Sequence, residues 1–160
     1  MPISRSFYFI RHGQTDWNLE GRMQGRTDIP LNETEREQAR AAILYSKNLN
    51  IDLIVSSPLK RAFETAEIIG QALNLKVETH QDLQERHFGS NEGRLTSEIK
   101  AEYESNPNME VQLGVTGFPH AKDSETLENL IGEYIHSDNA VPYHFQKHDD
   151  GSWDIEKVTL

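Results

Sequence analysis

The sequence predicts an α/β fold of three layers, αβα, around a mostly parallel sheet. Three observations carry that prediction. Ser6-Phe7-Tyr8-Phe9-Ile10 and Ile51-Asp52-Leu53-Ile54-Val55, with a weaker third run at Leu75-Lys76-Val77, have the pattern of short strands covered on both faces. Helical stretches separate these runs, so the order is β-α-β-α-β, as in parallel strands joined by right-handed crossovers. The chain has 160 residues, enough for one sizeable core and short for two, so residues 1–160 are expected to form a single domain.

The first strand ends at Arg11-His12-Gly13. The helix after it opens at Asn32 with Glu35 three residues later, the spacing of a capping box, in which each side chain satisfies an N–H group that the first turn leaves unpaired. Its apolar face is Ala39, Ala42 and Ile43. The next helix is expected to start with Ser57 as N-cap and Pro58 at the first helical position, and to turn Leu59, Ala62, Ala66, Ile69 and Leu73 toward the core. Helical spacing recurs over Thr96 to Tyr103 and Ser124 to Ile135, on either side of a polar loop, Glu104 to Asp123, with two of the six prolines. The last stretch reads as a hairpin: Val141 to Phe145, a turn at Asp149-Asp150-Gly151, then alternation over Trp153 to Val158.

Charge and composition narrow the function. The formal charge is −10, from 26 acidic against 16 basic residues, which disfavours nucleic acid and anionic membrane as partners. There is no cysteine, so a disulfide scaffold, a thiolate metal site and a thiol nucleophile are all excluded, and His, Asp and Glu must carry any chemistry. The longest N-terminal apolar run, Phe7 to Ile10, is too short for a secretory signal or a membrane span, so a cytoplasmic protein is expected. Hydrophobic content is 36% against the roughly 45–50% apolar usage of a globular domain, which reads as a chain short of core.

Two places point to an anion. Arg11-His12-Gly13 stands at the carboxyl end of a buried strand, where α/β proteins hold ligands and where glycine lets the backbone turn close to an anion. By itself the tripeptide reads first as a polar strand exit. Ser57-Pro58-Leu59-Lys60-Arg61 puts two cations in the first turn of a helix, where the dipole favours acids, and a bound anion would relieve the conflict. Arg61 and Arg11 are therefore expected to converge on one phosphate. Glu85 follows the third strand; alone it reads as a surface glutamate, whereas beside an incoming anion its proton would be held, as a general acid requires.

Longer motifs contain these residues: Arg11 to Asn18, Gln24-Gly25, Asp28 to Leu31, Ser56 to Ala62 with Thr65-Ala66, and Leu83 to Gly89 with Glu92-Gly93. In order and spacing, over residues 6 to about 131, they resemble the histidine phosphatase superfamily, in its phosphoglycerate mutase-like branch. The resemblance implies phosphoryl transfer through a phosphohistidine on small phosphorylated substrates, with no metal and no cofactor. It assigns His12 as nucleophile, Arg11, Arg61 and Asn18 as holders of the phosphoryl oxygens with Thr15 and backbone groups of Gln24 and Gly25, Glu85 as acid and then base, and Arg86 as a contact to a substrate carboxylate or second phosphate. Phosphatase and mutase remain open: little chain lies between Gly93 and Ser124 to form a lid, which favours the first, while Glu85-Arg86-His87-Phe88 resembles true mutases.

The chain departs from the family pattern twice. Glu35 stands where the family has glycine, and the capping box accounts for it. The family's second histidine, in a Gly-His context after another buried strand, has no counterpart among His80, His87, His120, His136, His144 and His148. A segment of roughly 30 residues, the size of a βα unit, is therefore expected to be absent near residues 131–133. In the family that strand lies beside the first, so its loss would leave one edge of the first strand unpaired. Either another strand closes the gap, or the chain pairs with another copy as a homodimer, or the backbone is broken between about Leu130 and Glu133. Catalysis is then expected to fall by about 10²–10³ against a complete homologue, and the alternative reading is a catalytically impaired protein that binds phosphorylated ligands.

Overall fold

Residues 6–105 and 140–159 are described by the computed structural model. Along them run β1 (Phe7–Ile10), α1 (Asp16–Leu19), α2 (Glu33–Ser46), β2 (Ile54–Ser56), α3 (Lys60–Leu73), β3 (Val77–Thr79), α4 (Thr96–Ser105), β4 (Pro142–Lys147) and β5 (Trp153–Lys157), with single 3-10 turns at Gln81–Leu83 and Gly89–Asn91. The expected helix over Ser124 to Ile135, the preceding loop beyond Ser105, His120, His136 and the junction at residues 131–133 lie outside the described residues.

The α/β class holds, but the parallel character of the sheet is partial. β2 and β3 pair in parallel, with Ile54 opposite Val77 and Ser56 opposite Thr79. β1 pairs antiparallel with β4, Phe7 opposite Phe145 and Ile10 opposite Pro142, and β4 with β5. Among the described residues β1 and β2 belong to separate sheets. β1 is also less covered than its apolar run predicts. Phe7 and Phe9 share one face with Tyr143, Phe145, Trp153 and Ile155, Phe7 stacking on Phe145 with ring centroids 4.8 Å apart. On the other face Ile10 joins Ala42 and Ile69, while Tyr8 remains 38% exposed, stacked on His144.

Three boundaries move, each for a local reason. α3 ends at Asn74, in the left-handed conformation at φ 57°, where the N–H of Leu75 bonds back to Gly70. That is a helix C-cap of the kind asparagine tolerates, and it keeps Leu75 out of the strand, so β3 begins at Val77. β2 in turn pairs only over Ile54–Ser56, the length of its partner, rather than from Ile51. At the other end of α3, Leu59 is extended and serves as N-cap without a side-chain bond. The Ser57 hydroxyl accepts from the N–H of Leu59 at 3.3 Å, and the N–H of Lys60 donates to Asp28 Oδ1 at 2.7 Å. A carboxylate from a distant segment thus supplies the cap predicted for Ser57.

α2 is capped as expected: Asn32 Oδ1 accepts from the N–H of Glu35, and the Glu35 carboxylate accepts from the N–H of Asn32. Ala39 and Ala42 are fully buried, and their small side chains let α2 approach α3 closely. Arg36 on α2 also bonds Glu64 on α3, but a half-exposed pair of this kind contributes at most about 1 kcal/mol. Burying Ile69 is worth about 1.5–3 kcal/mol by itself, so apolar packing decides the seat of α3, and the seat of α3 places Arg61.

Candidate active site at the end of β1

His12 leaves β1 into a turn held tightly from two sides. A Cβ on Gly13 would lie 2.9 Å from the backbone oxygen of Glu35, so only glycine lets this turn press on the first turn of α2. The N–H of Gly13 donates to Thr65 Oγ1 at 3.4 Å, Thr65 donates in turn to the Arg61 carbonyl at 2.8 Å, and the N–H of Gln14 donates to Gln38 Oε1 at 3.0 Å. Both helices therefore grip the His12 turn.

The imidazole has a defined tautomer. His12 Nδ1 lies 2.5 Å from the carbonyl oxygen of Gly13, and a carbonyl can only accept, so Nδ1 carries the proton and Nε2 of the neutral ring keeps its lone pair. Burial, with Arg61 and Arg11 adding to it against the Gly13 hydrogen bond, pushes the His12 pKa down to about 3. A half-buried imidazole under the influence of two guanidiniums is neutral at physiological pH.

Arg61, 3% exposed in the first turn of α3, is fixed by two carbonyls. It donates through one terminal nitrogen to Thr27 O at 3.0 Å and through the other to Gly25 O at 2.6 Å. Two of its five N–H donors are thus used for orientation. Burial lowers the pKa of both Arg61 and Arg11, and the nearby charge of Glu85 offsets part of each shift. His12 accordingly lies within electrostatic reach of Arg61 and Arg11, and both arginines lie within reach of Glu85. Lys60, the other cation of that turn, pairs with Asp28 at 3.4 Å, so the charge conflict inferred from the sequence is relieved in part by the protein itself.

Thr15, Asn18 and Gln24 form a group of their own. Thr15 is fully buried and caps α1, its hydroxyl accepting from the N–H of Asn18 and lying 2.7 Å from Gln24 Oε1. Asn18 Oδ1 accepts from the N–H of Thr15 at 2.9 Å, which leaves Nδ2 as the donor end of its amide. Gln24 and Gly25 hold neighbouring side chains, Gln24 through its amide and Gly25 through its carbonyl. Glu85 and Arg86 are exposed, the Glu85 carboxylate accepting from the N–H of Arg86 at 2.8 Å.

Four of the remaining histidines are described, each engaged elsewhere. His80 caps a 3-10 turn, His87 lies 3.9 Å from Glu92, His144 stacks on Tyr8, and His148 meets Asp154 at 2.7 Å. No three His, Asp or Glu side chains gather as metal ligands among the described residues, and no helix there is long and apolar enough to cross a membrane. Thr27, Thr65 and Glu92 belong to the site's construction but were not singled out as site residues. Thr65 was within reach of sequence reasoning, since it stands one helical turn after Arg61 on the same face. The part played by Thr27 and Glu92 depends on contacts between distant segments.

Comparison with known proteins supplies a frame for this geometry. Residues 7–131 match the family model described as "Histidine phosphatase superfamily (branch 1)". The "Uncharacterized phosphatase PhoE" of Bacillus subtilis is 50% identical over 103 residues, 63% of this chain and 53% of its own length. The "Probable phosphoglycerate mutase GpmB" of Escherichia coli is 33% identical over 136 residues, 84% of this chain and 63% of its own. The chain thus spans about half to three-fifths of the length of these relatives. A solved mycobacterial glucosyl-3-phosphoglycerate phosphatase superposes with a TM-score of 0.71 at 25% identity, over 96% of this chain and 98% of that one.

Proposed function

Since the chain belongs to the histidine phosphatase superfamily, branch 1, we propose that it transfers phosphoryl groups from small phosphorylated metabolites through a phosphohistidine at His12, as a phosphomonoesterase. One observation carries the reading: the Gly13 carbonyl accepts a hydrogen bond from Nδ1–H of a half-buried, neutral His12, so the Nε2 lone pair is available as a nucleophile.

In the first step His12 Nε2 forms a bond to phosphorus as the ester P–O bond opposite it breaks. Arg11 and Arg61 hold the equatorial oxygens, where charge is spread in the transition state, and Asn18 adds its amide N–H. Arg61 arrives already oriented by the Gly25 and Thr27 carbonyls, so it need not reorganise as charge develops. Glu85, as the general acid, gives its proton to the departing alkoxide. In the second step the Glu85 carboxylate takes a proton from water, the water oxygen bonds to phosphorus, and the N–P bond breaks, which restores neutral His12. Arg86, exposed next to Glu85, would read a carboxylate or second phosphate on the substrate.

Mutase activity is the second reading, favoured by the Glu85-Arg86-His87-Phe88 run: an acceptor hydroxyl then replaces water in the second step. The test is labelling with a radioactive phosphoester followed by alkaline and acid treatment. Acid-labile, base-stable label on wild type but not on His12→Ala is expected. A panel of phosphoesters that includes 3-phosphoglycerate then separates release of inorganic phosphate from transfer. Wild-type protein that hydrolyses the panel without forming labelled His12 would overturn the reading.

A further inference from the structure

Glu92 lies outside the chemistry just described, yet three donors of the site's framework meet at its carboxylate. Oε1 accepts from the N–H of Arg26 at 3.1 Å and from the N–H of Phe88 at 3.0 Å, and Oε2 accepts from the Thr27 hydroxyl at 2.5 Å. Its side chain is 11% exposed. The close approach requires glycine at residue 25: Gly25 has φ +56°, and a Cβ there would overlap Glu92 Oε1 and lie 2.8 Å from its Cδ. Burial opposes ionisation of Glu92, but the bonds from Thr27, Phe88 and Arg26 outweigh it and hold the carboxyl below its ordinary pKa. It is a carboxylate at neutral pH.

What the carboxylate grips is the segment that aims Arg61. The two carbonyls that orient the guanidinium, Gly25 O and Thr27 O, flank Arg26, and the donors from Arg26 and Thr27 both end on Glu92. From the same segment Arg26 Nε donates to the Glu85 carbonyl at 2.9 Å. The neighbouring strands of chain are tied independently, Met23 to Arg94 and Gly93 by backbone bonds of 3.0 and 2.8 Å and Thr96 to Gly21 at 2.8 Å, so the Glu92 clamp is the part of this seam that bears on the arginine and the acid together.

We propose that Glu92 is a positioning residue for phosphoryl transfer: through the 25–27 segment it sets the Arg61 guanidinium, and through Arg26 the loop that carries Glu85. It touches neither substrate nor His12, and the proposal rests on the reading of His12 and Arg61 given above. Glutamine is the informative substitution. Oε1 must remain an oxygen because it accepts two backbone N–H groups; the amide nitrogen then takes the place of Oε2 and donates to the Thr27 hydroxyl, which can turn to accept. Glutamine keeps the clamp without the charge, whereas alanine loses it.

Steady-state kinetics with p-nitrophenyl phosphate and calorimetric binding of inorganic phosphate, at matched folded fraction, provide the test. Glu92→Ala is expected to lower kcat/KM about 10²-fold, the scale of a displacement of about 1 Å in a positioning group, and to weaken phosphate binding. Glu92→Gln is expected to stay within about fivefold of wild type. In an Arg61→Ala background, Glu92→Ala should add less than about threefold to either measurement, because residues acting through one another are not additive. Should Glu92→Ala fail to fold, Thr27→Val removes one of the three donors and is expected to lower kcat/KM about three- to tenfold, again only where Arg61 is present. Wild-type activity with Glu92→Ala, a glutamine variant as impaired as alanine, or full multiplication of the two losses would overturn the positioning role alone. Absence of labelled His12 and of turnover in the wild type would overturn the phosphoryl-transfer reading, and this inference with it.

Discussion

The arginine and the acid proposed to serve His12 are held differently. Arg61 is buried, both ends of its guanidinium are held by backbone carbonyls, and its helix is packed against α2, where Ala42 meets Ile69. Glu85 stands exposed in a loop, its carboxylate bonded only to the N–H of the next residue among the bonds described for it, and its carbonyl tied to Arg26. The difference matches the two tasks proposed for them. Stabilising charge on a phosphoryl group depends on donors that do not move, whereas an acid that serves the leaving group and then water must reach two positions. Stability and function should therefore be coupled on the arginine side and separable on the acid side.

The largest effect is expected at His12. His12→Ala should remove the nucleophile and leave less than about one per cent of turnover, since single losses from a catalytic unit reach 10⁴-fold or more; phosphatase assays on purified variant check this. Arg61→Ala comes next, at about 10²–10³ in kcat whatever the leaving group. It should also cost stability, because the Gly25 and Thr27 carbonyls lose their partner and a buried unpaired group costs about 1–3 kcal/mol; urea unfolding reads that loss. If Arg61→Ala unfolds at the wild-type midpoint, the coupling claimed for this side is absent.

Glu85→Gln should show the opposite profile. Its unfolding midpoint should match wild type, since exposed substitutions usually stay within about 0.5 kcal/mol. Turnover of an alkyl phosphate should fall about 10²-fold further than that of p-nitrophenyl phosphate, whose leaving group needs no proton. Equal losses on both substrates would assign Glu85 to the framework and abolish the contrast between the two sides.

The smallest effect is a pH dependence of stability. With the folded-state pKa of His12 at about 3 and an unfolded value near 6.5, the unfolded chain binds a proton between those limits that the folded protein does not. Stability should therefore fall as pH drops below about 6.5, by up to about 1.4 kcal/mol per pH unit from this group. Other groups titrate in the same range, so the measurement is the difference between wild type and His12→Asn in urea midpoints from pH 7 to 4.5. A constant difference would mean that His12 is hydrated in the folded state.

Elements set by short-range rules were legible from the sequence. The Asn32–Glu35 capping box, the apolar stripe of α2, the start of α4 and the terminal hairpin each depend on neighbours a few residues away, and the alternation of apolar runs with helices was enough for the α/β class. The candidate site residues His12, Arg11, Arg61 and Glu85 were named by resemblance, because they lie in short motifs. Strand limits and pairing were not, since a ladder is as long as its partner allows: β3 waits for the Asn74 cap to finish, and β2 is cut to match. β1 reads as a parallel core strand yet its described partner, β4, runs antiparallel from more than 130 residues further along the chain. Likewise the sequence by itself determined the run that forms β1, and by resemblance it named His12, Arg11 and Arg61 as candidate site residues. Only the tertiary structure decided how they are held, with Asp28 capping α3 in place of Ser57, two carbonyls aiming Arg61, and Glu92 gripping the segment that supplies those carbonyls. Each of those contacts joins residues about 30 or more positions apart, and hydrogen-bond partners at that separation are chosen by packing, which no local pattern encodes.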